Sequence, residues 1–472
     1  MAVLCVSTIR ASFLTHVLCI FVFRRVECRH SSFRIFLALC AMMGLVLTGA
    51  DVSTAYLHAP LRNFVVWMKP PRGFPMFVDG AQALCRLNMA IYGLRQSARE
   101  WAITLIEWLV GWGFTRGVTD RYLFVFRSEE GTLILLVWVD DIFMGHSNDT
   151  LRARFMKDFT ARFRVKDLGP MHQALGASVA QSLKKGWVTL SLEKYISDLA
   201  RRYDLFDNVA WADIPVPVAL AKECLAAVVT DAEVEEVLAV YCALTGSVIF
   251  IATFARPDVA YASHLLSTFM VRPGRVHLRL ARRVLGYLSR TRARCLTYRH
   301  GAEMHASFSP LDDGLPDRTG LPHQLVDTDH GVRRSVTGWL FMFAGAAVSW
   351  AVRGQLLPSL SSAESELYGL STSVCDLLAC VQTLEEMGWT VPEAVKLMTD
   401  SRGARLLASD SAVAARTRHI HRRWYFVAYH IEEGRVMLVQ VKGALNRSNF
   451  LTKAVGGASY AADRDYALGV AV

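Results

Sequence analysis

Asp140 and Asp141 stand side by side between two apolar runs, Leu133 to Val139 and Ile142 to Met144, a pattern that predicts a hairpin with two acids at its tip. Asp51 lies at a second junction, where the apolar stretch from Phe33 to Ala50 gives way to a polar, strand-like one. Carboxylates gathered on strand ends repel one another unless a cation neutralises them. Two Mg²⁺ ions about 3.5–4 Å apart supply that charge, one lowering the pKa of an attacking hydroxyl and both stabilising an in-line phosphoryl transition state. Oxygen-only ligands suit Mg²⁺. Aspartate also favours turns through hydrogen bonds to its own backbone, so the pair alone fixes no chemistry.

A second set of acids falls in the last third of the chain: Asp327 in Val326-Asp-Thr-Asp, Glu366 in Ser362-Ala-Glu-Ser-Glu, and Asp400 after Leu397-Met-Thr. Each alone reads as a helix cap or a solvated face. Their order, strand–acid, helix–acid, strand-end–acid, would bring three carboxylates together in one α/β unit. Two Mg²⁺ held there can activate water against a phosphodiester.

The elements that must position these acids follow from periodicity. Val65 to Met68 reads as a strand before the turn Lys69 to Gly73, and Ala98 to Trp112 has helical spacing ended by Gly113. Glu193 to Leu205 is helical, residues 206–235 with Pro215 and Pro217 read as a connector, and residues 236–300 are mainly helical. That helical region bears a basic stripe at Arg275, Arg279, Arg282, Arg283 and Arg290. Residues 301–323, with three prolines, read as a linker. Strands near 325 and 336–350, a helix from about 363, a strand before Asp400 and a final helix then make a separate α/β unit.

A chain of 472 residues, 53% hydrophobic and 20% charged, has room for two or three packed domains and is neither disordered nor collagen-like. The 52 Lys+Arg against 42 Asp+Glu leave a net +10, compatible with a polyanionic partner. Ten cysteines without a C-x-x-C pair or zinc spacing read as buried, reduced thiols. The run Ala11 to Phe23 is shorter than the ~20 residues a bilayer requires, and Phe33 to Ala50 reads as a buried helix feeding a strand.

The blocks Asp51-Val-Ser-Thr-Ala-Tyr-Leu-His, Trp67-Met-Lys-Pro-Pro-Arg-Gly-Phe, Cys85-Arg-Leu, Ile91-Tyr-Gly-Leu-Arg-Gln-Ser and Trp138-Val-Asp-Asp occur in that order, followed by Lys166-Asp-Leu-Gly and Arg283-Val-Leu-Gly-Tyr-Leu. In this they resemble the reverse transcriptase of copia-type LTR retrotransposons. Arg333-Arg-Ser-Val-Thr-Gly-Trp, Val348-Ser-Trp, Arg416-Thr-Arg-His419-Ile and Leu451-Thr-Lys resemble the ribonuclease H domain of the same polyprotein.

The resemblance implies a mixed α+β palm with a helical connection, followed by a ribonuclease H-like α/β domain. The implied divisions are a non-family segment 1–30, a palm with truncated fingers at 31–210, a connector and thumb-like region at 211–305, and the nuclease domain at 320–460. It makes Asp51, Asp140 and Asp141 the catalytic metal ligands of an RNA-directed DNA polymerase, and Asp327, Glu366 and Asp400 those of the nuclease. Tyr56 takes the place of the ring beneath the incoming sugar, while Gln96, with Arg95, falls in the nucleotide- and template-facing loop. His419 belongs to a basic block with a structural role. Two Mg²⁺ per site, or Mn²⁺ in their place, are the implied cofactors. RNA and DNA template-primers, RNA–DNA hybrids and dNTPs are the implied partners. The expected location is intracellular, in cytoplasm or nucleus, with membrane attachment through residues 11–50 the minority reading.

Four departures predict an impaired copy. Trp138 replaces tyrosine beside the aspartate pair and adds bulk, and Asn449 stands where the family has an acid before Leu451-Thr-Lys. The loop from Asp329 to Arg333 is shorter than the family's. Residues 1–30 match nothing in the family and occupy the place of basic fingers that neutralise a triphosphate. The rival reading is a catalytically inactive remnant that binds RNA–DNA hybrid through the arginine stripe.

Overall fold

The apolar run around Phe33 forms helix α1 (His30–Met43), buried from Ser32 to Ala41 and closed by Gly44 in the left-handed conformation. A helix apolar on every side must be covered on every side, and α1 is. Phe33 packs on Phe143, two residues beyond the Asp140-Asp141 pair, at 5.1 Å, and the buried Arg34 stacks on Trp350 of the C-terminal unit at 3.9 Å. This computed structural model describes residues 27–470 apart from 64, 75, 207–212, 301–319, 331–333, 357, 360, 392–393 and 402–417.

After α1 the chain enters β1 (Val46–Val52), then helix α2 (Ser97–Trp112), β2 (Thr115–Arg116), β3 (Leu123–Ser128), β4 (Gly131–Trp138), β5 (Asp141–His146), α3 (Asp149–Arg162) and β6 (Val165–Pro170). The six strands form one sheet in the order β6-β1-β5-β4-β3-β2. The helix expected at Ala98 and the hairpin expected around Asp140 both form, because alternating apolar residues bury opposite faces of the sheet. Leu133 and Leu135 point into the cluster under α2 and α3, whereas Ile134 and Leu136 point into the larger one that holds α1.

Strands β7 (Gln173–Ala174), β8 (Ala177–Ser182), β9 (Trp187–Ser191) and β10 (Leu296–Arg299) make a second sheet in chain order. β9 and β10 pair directly, so this sheet joins residues from both sides of residue 210. Between them lie helices α4 (Glu193–Arg202), α5 (Val218–Ala226), α6 (Asp231–Phe254), α7 (Ala260–Ser267) and α8 (Arg275–Arg290). Helix α5 corrects the reading of 206–235 as a connector. Pro217 occupies its N-cap, where a missing N–H costs nothing, and Ala221 and Cys224 give it a short buried face. Thr230 and Glu233 then form a capping box that starts α6.

The C-terminal unit comprises β11 (His323–Asp329), β12 (Val336–Phe343), β13 (Ala346–Gly354), α9 (Ser362–Glu386), β14 (Val395–Thr399), α10 (Arg418–Glu432), β15 (Val436–Gln440) and α11 (Gly457–Leu468). Its sheet runs β13-β12-β11-β14-β15, with the first three strands antiparallel and β14 and β15 parallel to β11. The linker expected at 301–323 lies mostly outside the described residues, and His323 already belongs to β11. Strand β15, which the sequence reading missed, pairs with β14.

Helices α6 and α9 are long and apolar enough to cross a membrane, but 44% and 56% of their apolar windows are buried inside the protein. Helix α1, within the proposed 11–50 attachment segment, is only 14 residues long, and β1 follows it. Among the described cysteines Cys28, Cys40, Cys224 and Cys380 are buried as expected, whereas Cys85, Cys242 and Cys295 are half-buried and Cys375 is exposed.

Candidate functional site

β1 and β5 pair antiparallel with Asp51 directly opposite Asp141. Cross-strand partners have Cβ atoms about 4.5–5.5 Å apart, so two like charges face each other there at a cost in stability. The turn between β4 and β5 is the two-residue Val139-Asp140, with Trp138 paired to Asp141. Val139 has φ +58°, a left-handed conformation that a β-branched residue ordinarily avoids. Two hydrogen bonds hold it: the indole N–H of the buried Trp101 donates to the Val139 carbonyl at 2.7 Å, and the Val52 N–H donates to the Asp140 carbonyl at 2.8 Å. Turn and register bring the three aspartates near enough for their charges to act on one another, although among the described residues only the C-terminal acids gather ligand oxygens within 4.8 Å.

The electrostatics follow. Burial, then the charges of Asp140 and Asp51, push the Asp141 carboxyl up to about 6. Burial, with a smaller contribution from Asp51, raises Asp140 as well. Asp141 borders a cavity of about 470 Å³ enclosed by β1, β5 and residues 168–176.

Tyr56 lies beside this tip. Its ring centroid is 4.7 Å from that of Tyr92, and burial followed by the Asp140 charge raises the hydroxyls of both tyrosines. Tyr92 was not singled out from sequence, although it lies within the Ile91-to-Ser97 block. Gln96 is the N-cap residue of α2 but makes no side-chain cap bond; no described interaction brings it to the aspartates. Trp138, expected to crowd the acids, instead stacks on His30 at 5.6 Å with an interplanar angle of 13°.

The residues before α1 are stitched to the same hairpin. Glu27 bridges to Trp138, the Cys28 N–H donates to the Val137 carbonyl at 3.1 Å, and the Arg29 N–H donates to Asp120 at 2.7 Å. The rest of the 1–30 segment lies outside the described residues.

In the C-terminal unit, oxygens of Asp327 on β11, Glu366 on α9 and Asp400 just after β14 all lie within 4.8 Å of one another. Burial, then Asp327 and Asp400, push Glu366 up to about 8. Its Oε2 is buried and accepts no hydrogen bond. An orphaned carboxylate oxygen facing two further carboxylates is a donor set for a hard divalent cation.

The surroundings of this triad were not foreseen. Thr452 donates its hydroxyl to Asp327 Oδ2, and Lys453 Nζ lies 3.5 Å from the same oxygen. Asn446 donates to the Val326 carbonyl at 3.0 Å and to Asp400 Oδ1 at 3.3 Å. The only textual signal for the first two was their place in Leu451-Thr-Lys. Asn449 turns its amide N–H to the Gly443 carbonyl at 2.6 Å. The side chain of His419 and the loop 331–333 lie outside the described residues.

Three of the five arginines in the stripe are paired with acids. Arg275 pairs with Glu236 at 2.6 Å, Arg279 with Glu223 at 2.5 Å and Arg290 with Asp213 at 2.7 Å, while Arg282 donates to the Tyr203 carbonyl. Those acids come from the stretch before α8 in sequence, so the stripe alone could not reveal the neutralisation.

Comparison with known proteins supplies the lineage. Residues 21–217 match the family model described as reverse transcriptase (RNA-dependent DNA polymerase). Over 429 residues, 90% of this chain, it is 29% identical to the retrovirus-related Pol polyprotein from transposon TNT 1-94 of Nicotiana tabacum, covering 31% of that protein. It is 27% identical over 425 residues to the Pol polyprotein from transposon RE1 of Arabidopsis thaliana, covering 90% of this chain and 27% of that one. The chain resembles the Pol polyproteins of copia-type retrotransposons over most of its length.

The chain spans less than a third of those two relatives' length, and all of a transposon Ty5-1 protein of Saccharomyces cerevisiae to which it is 28% identical over 69% of its own. A foamy viral protease-reverse transcriptase in complex with RNA/DNA hybrid aligns at 11% identity and a TM-score of 0.47, over 87% of this chain and 46% of that one. The reverse transcriptase match begins at residue 21, inside the segment read from sequence as foreign to the family.

Proposed function

We propose that the chain is an RNA-directed DNA polymerase joined to a ribonuclease H-like nuclease, each working through divalent metal ions, Mg²⁺ by choice of ligands. The observation that supports this best is the pairing of Asp51 with Asp141 beneath the strained Val139-Asp140 turn. Asp51, Asp140 and Asp141 would hold the ions of the polymerase, and Asp327, Glu366 and Asp400 those of the nuclease. When bound, such ions activate the attacking oxygen and neutralise charge developing in phosphoryl transfer.

The chain's own part is positional. Trp101 keeps the turn from relaxing, so the carboxylates stay convergent. Tyr56 and Tyr92 offer ring faces beside Asp140, on which the sugar of a dNTP can rest. Lys453 and Thr452 fix Asp327, and Asn446 fixes Asp400, so Glu366 is left with an unshared oxygen. Template-primers, RNA–DNA hybrids and dNTPs are the substrates of this reading. The nuclease is the weaker of the two activities, because the amide of Asn449 is committed to its own backbone.

Primer extension and hybrid cleavage by the purified full chain with Mg²⁺ test the proposal. Extension abolished by Asp140→Ala, with slow cleavage abolished by Asp400→Asn, is the expected result. No extension above the Asp140→Ala background removes the polymerase reading, and cleavage raised no more than twofold by Asn449→Asp removes the proposed nuclease impairment.

A further inference from the structure

Three of the α8 arginines are paired with acids, and a second group of cations faces a pocket elsewhere. A pocket of about 630 Å³ opens between the lead-in to α1, strand β13 and helices α9 and α10. Arg29, Arg353 and Arg423 line it, each from a different element, together with Ser371. Among the described residues, no carboxylate lies within ion-pair distance of any of the three guanidiniums. Two are held in place: Arg423 lies 3.6 Å over the Tyr368 ring and donates to Ser371 Oγ at 3.2 Å, and Arg353 lies 5.2 Å from the Trp339 ring. Stacking orders a guanidinium while leaving its N–H fork free for a planar or tetrahedral oxyanion.

One acid, Asp376, also lines the pocket. It is buried, accepts the Ser349 hydroxyl at 3.1 Å, and is raised chiefly by burial. Three guanidiniums therefore outweigh it. The nearest α9 residue of the pocket, Ser371, lies five residues from Glu366, about 7.5 Å at the rise of a helix, and none of the triad acids lines the pocket, so the two are distinct though close.

We propose that this pocket binds a phosphate group, supplied by the backbone of a nucleic-acid strand that bridges the palm and the C-terminal unit. The choice of strand rests on the proposed function; the phosphate chemistry does not.

Arginine footprinting of the full, unsubstituted chain with phenylglyoxal, mapped by mass spectrometry, separates the two claims. Arg29, Arg353 and Arg423 are expected to be protected both by inorganic phosphate and by an RNA–DNA hybrid, with Arg275 modified at the same rate throughout. Protection by inorganic phosphate alone overturns the strand and leaves a small phosphate compound as ligand. Protection by neither overturns the pocket. In parallel, Arg29→Gln with Arg423→Gln should lower the salt dependence of hybrid binding by about one phosphate's worth, near 0.9 in the log–log slope. An Arg275→Gln, Arg279→Gln pair should leave the slope unchanged, and equal slopes in all three proteins overturn the assignment.

Discussion

Lys453 Nζ stands 3.5 Å from Asp327 Oδ2, so an ammonium from the last segment before α11 neutralises part of the C-terminal acid cluster. Its field also lowers the proton affinity of Glu366, against the larger effects of burial and of Asp327 and Asp400. Lys453→Gln should move the Glu366 titration further above about 8 in metal-free protein. A carbon-detected NMR titration of the Glu366 carboxyl reads this directly. A downward or absent shift would mean that the ammonium does not act on the triad.

Glu366 also sets a pH dependence of stability. Its folded pKa of about 8 lies above the ordinary glutamate value of 4.5, so between those values the folded chain holds a proton that the unfolded chain has lost. Stability of the metal-free protein should therefore fall as pH rises through that window. The raised Asp141 carboxyl acts with the same sign over a lower window, reaching about 6. Thermal unfolding in chelator should show the decline, Mg²⁺ should reduce it, and Glu366→Gln should flatten its upper part.

Asp141→Asn separates function from stability. Removing one of two facing carboxylates should abolish primer extension by about a thousandfold or more. The same change relieves repulsion with Asp51 and should stabilise the metal-free chain by on the order of 1 kcal/mol. Denaturant unfolding beside extension assays checks both directions, and a destabilised variant would contradict the electrostatic account.

Arg34 ties three parts of the chain together. Its guanidinium donates to the carbonyls of Val348, Thr253 and Phe254, each at 2.8 Å, from within a fully buried helix face. Burial lowers its pKa to about 10, still cationic at neutral pH. Arg34→Met would leave three carbonyls without their donor and should cost about 3–5 kcal/mol in denaturant unfolding. A loss below about 1 kcal/mol would show that α1 holds the units together by apolar packing alone.

Local pattern was enough to place the Asp140-Asp141 hairpin, the α2 helix, the α1–β1 transition and the three acids of the C-terminal unit, because alternation and helical period are written within a few residues. The blocks running from Asp51 to Leu451-Thr-Lys identified the lineage for the same reason. What sequence spacing could not supply were partners hundreds of residues apart. Arg34 against Val348, Lys453 against Asp327, and the acids that silence Arg275, Arg279 and Arg290 exist only once the chain has packed. A charge's meaning depends on what desolvates it and what faces it, and both are properties of the assembled interior. The strain at Val139 and the opposition of Asp51 to Asp141 belong to the same class, since pairing register and hydrogen bonds from Trp101 and Val52, not residue type, bring the three aspartates near one another.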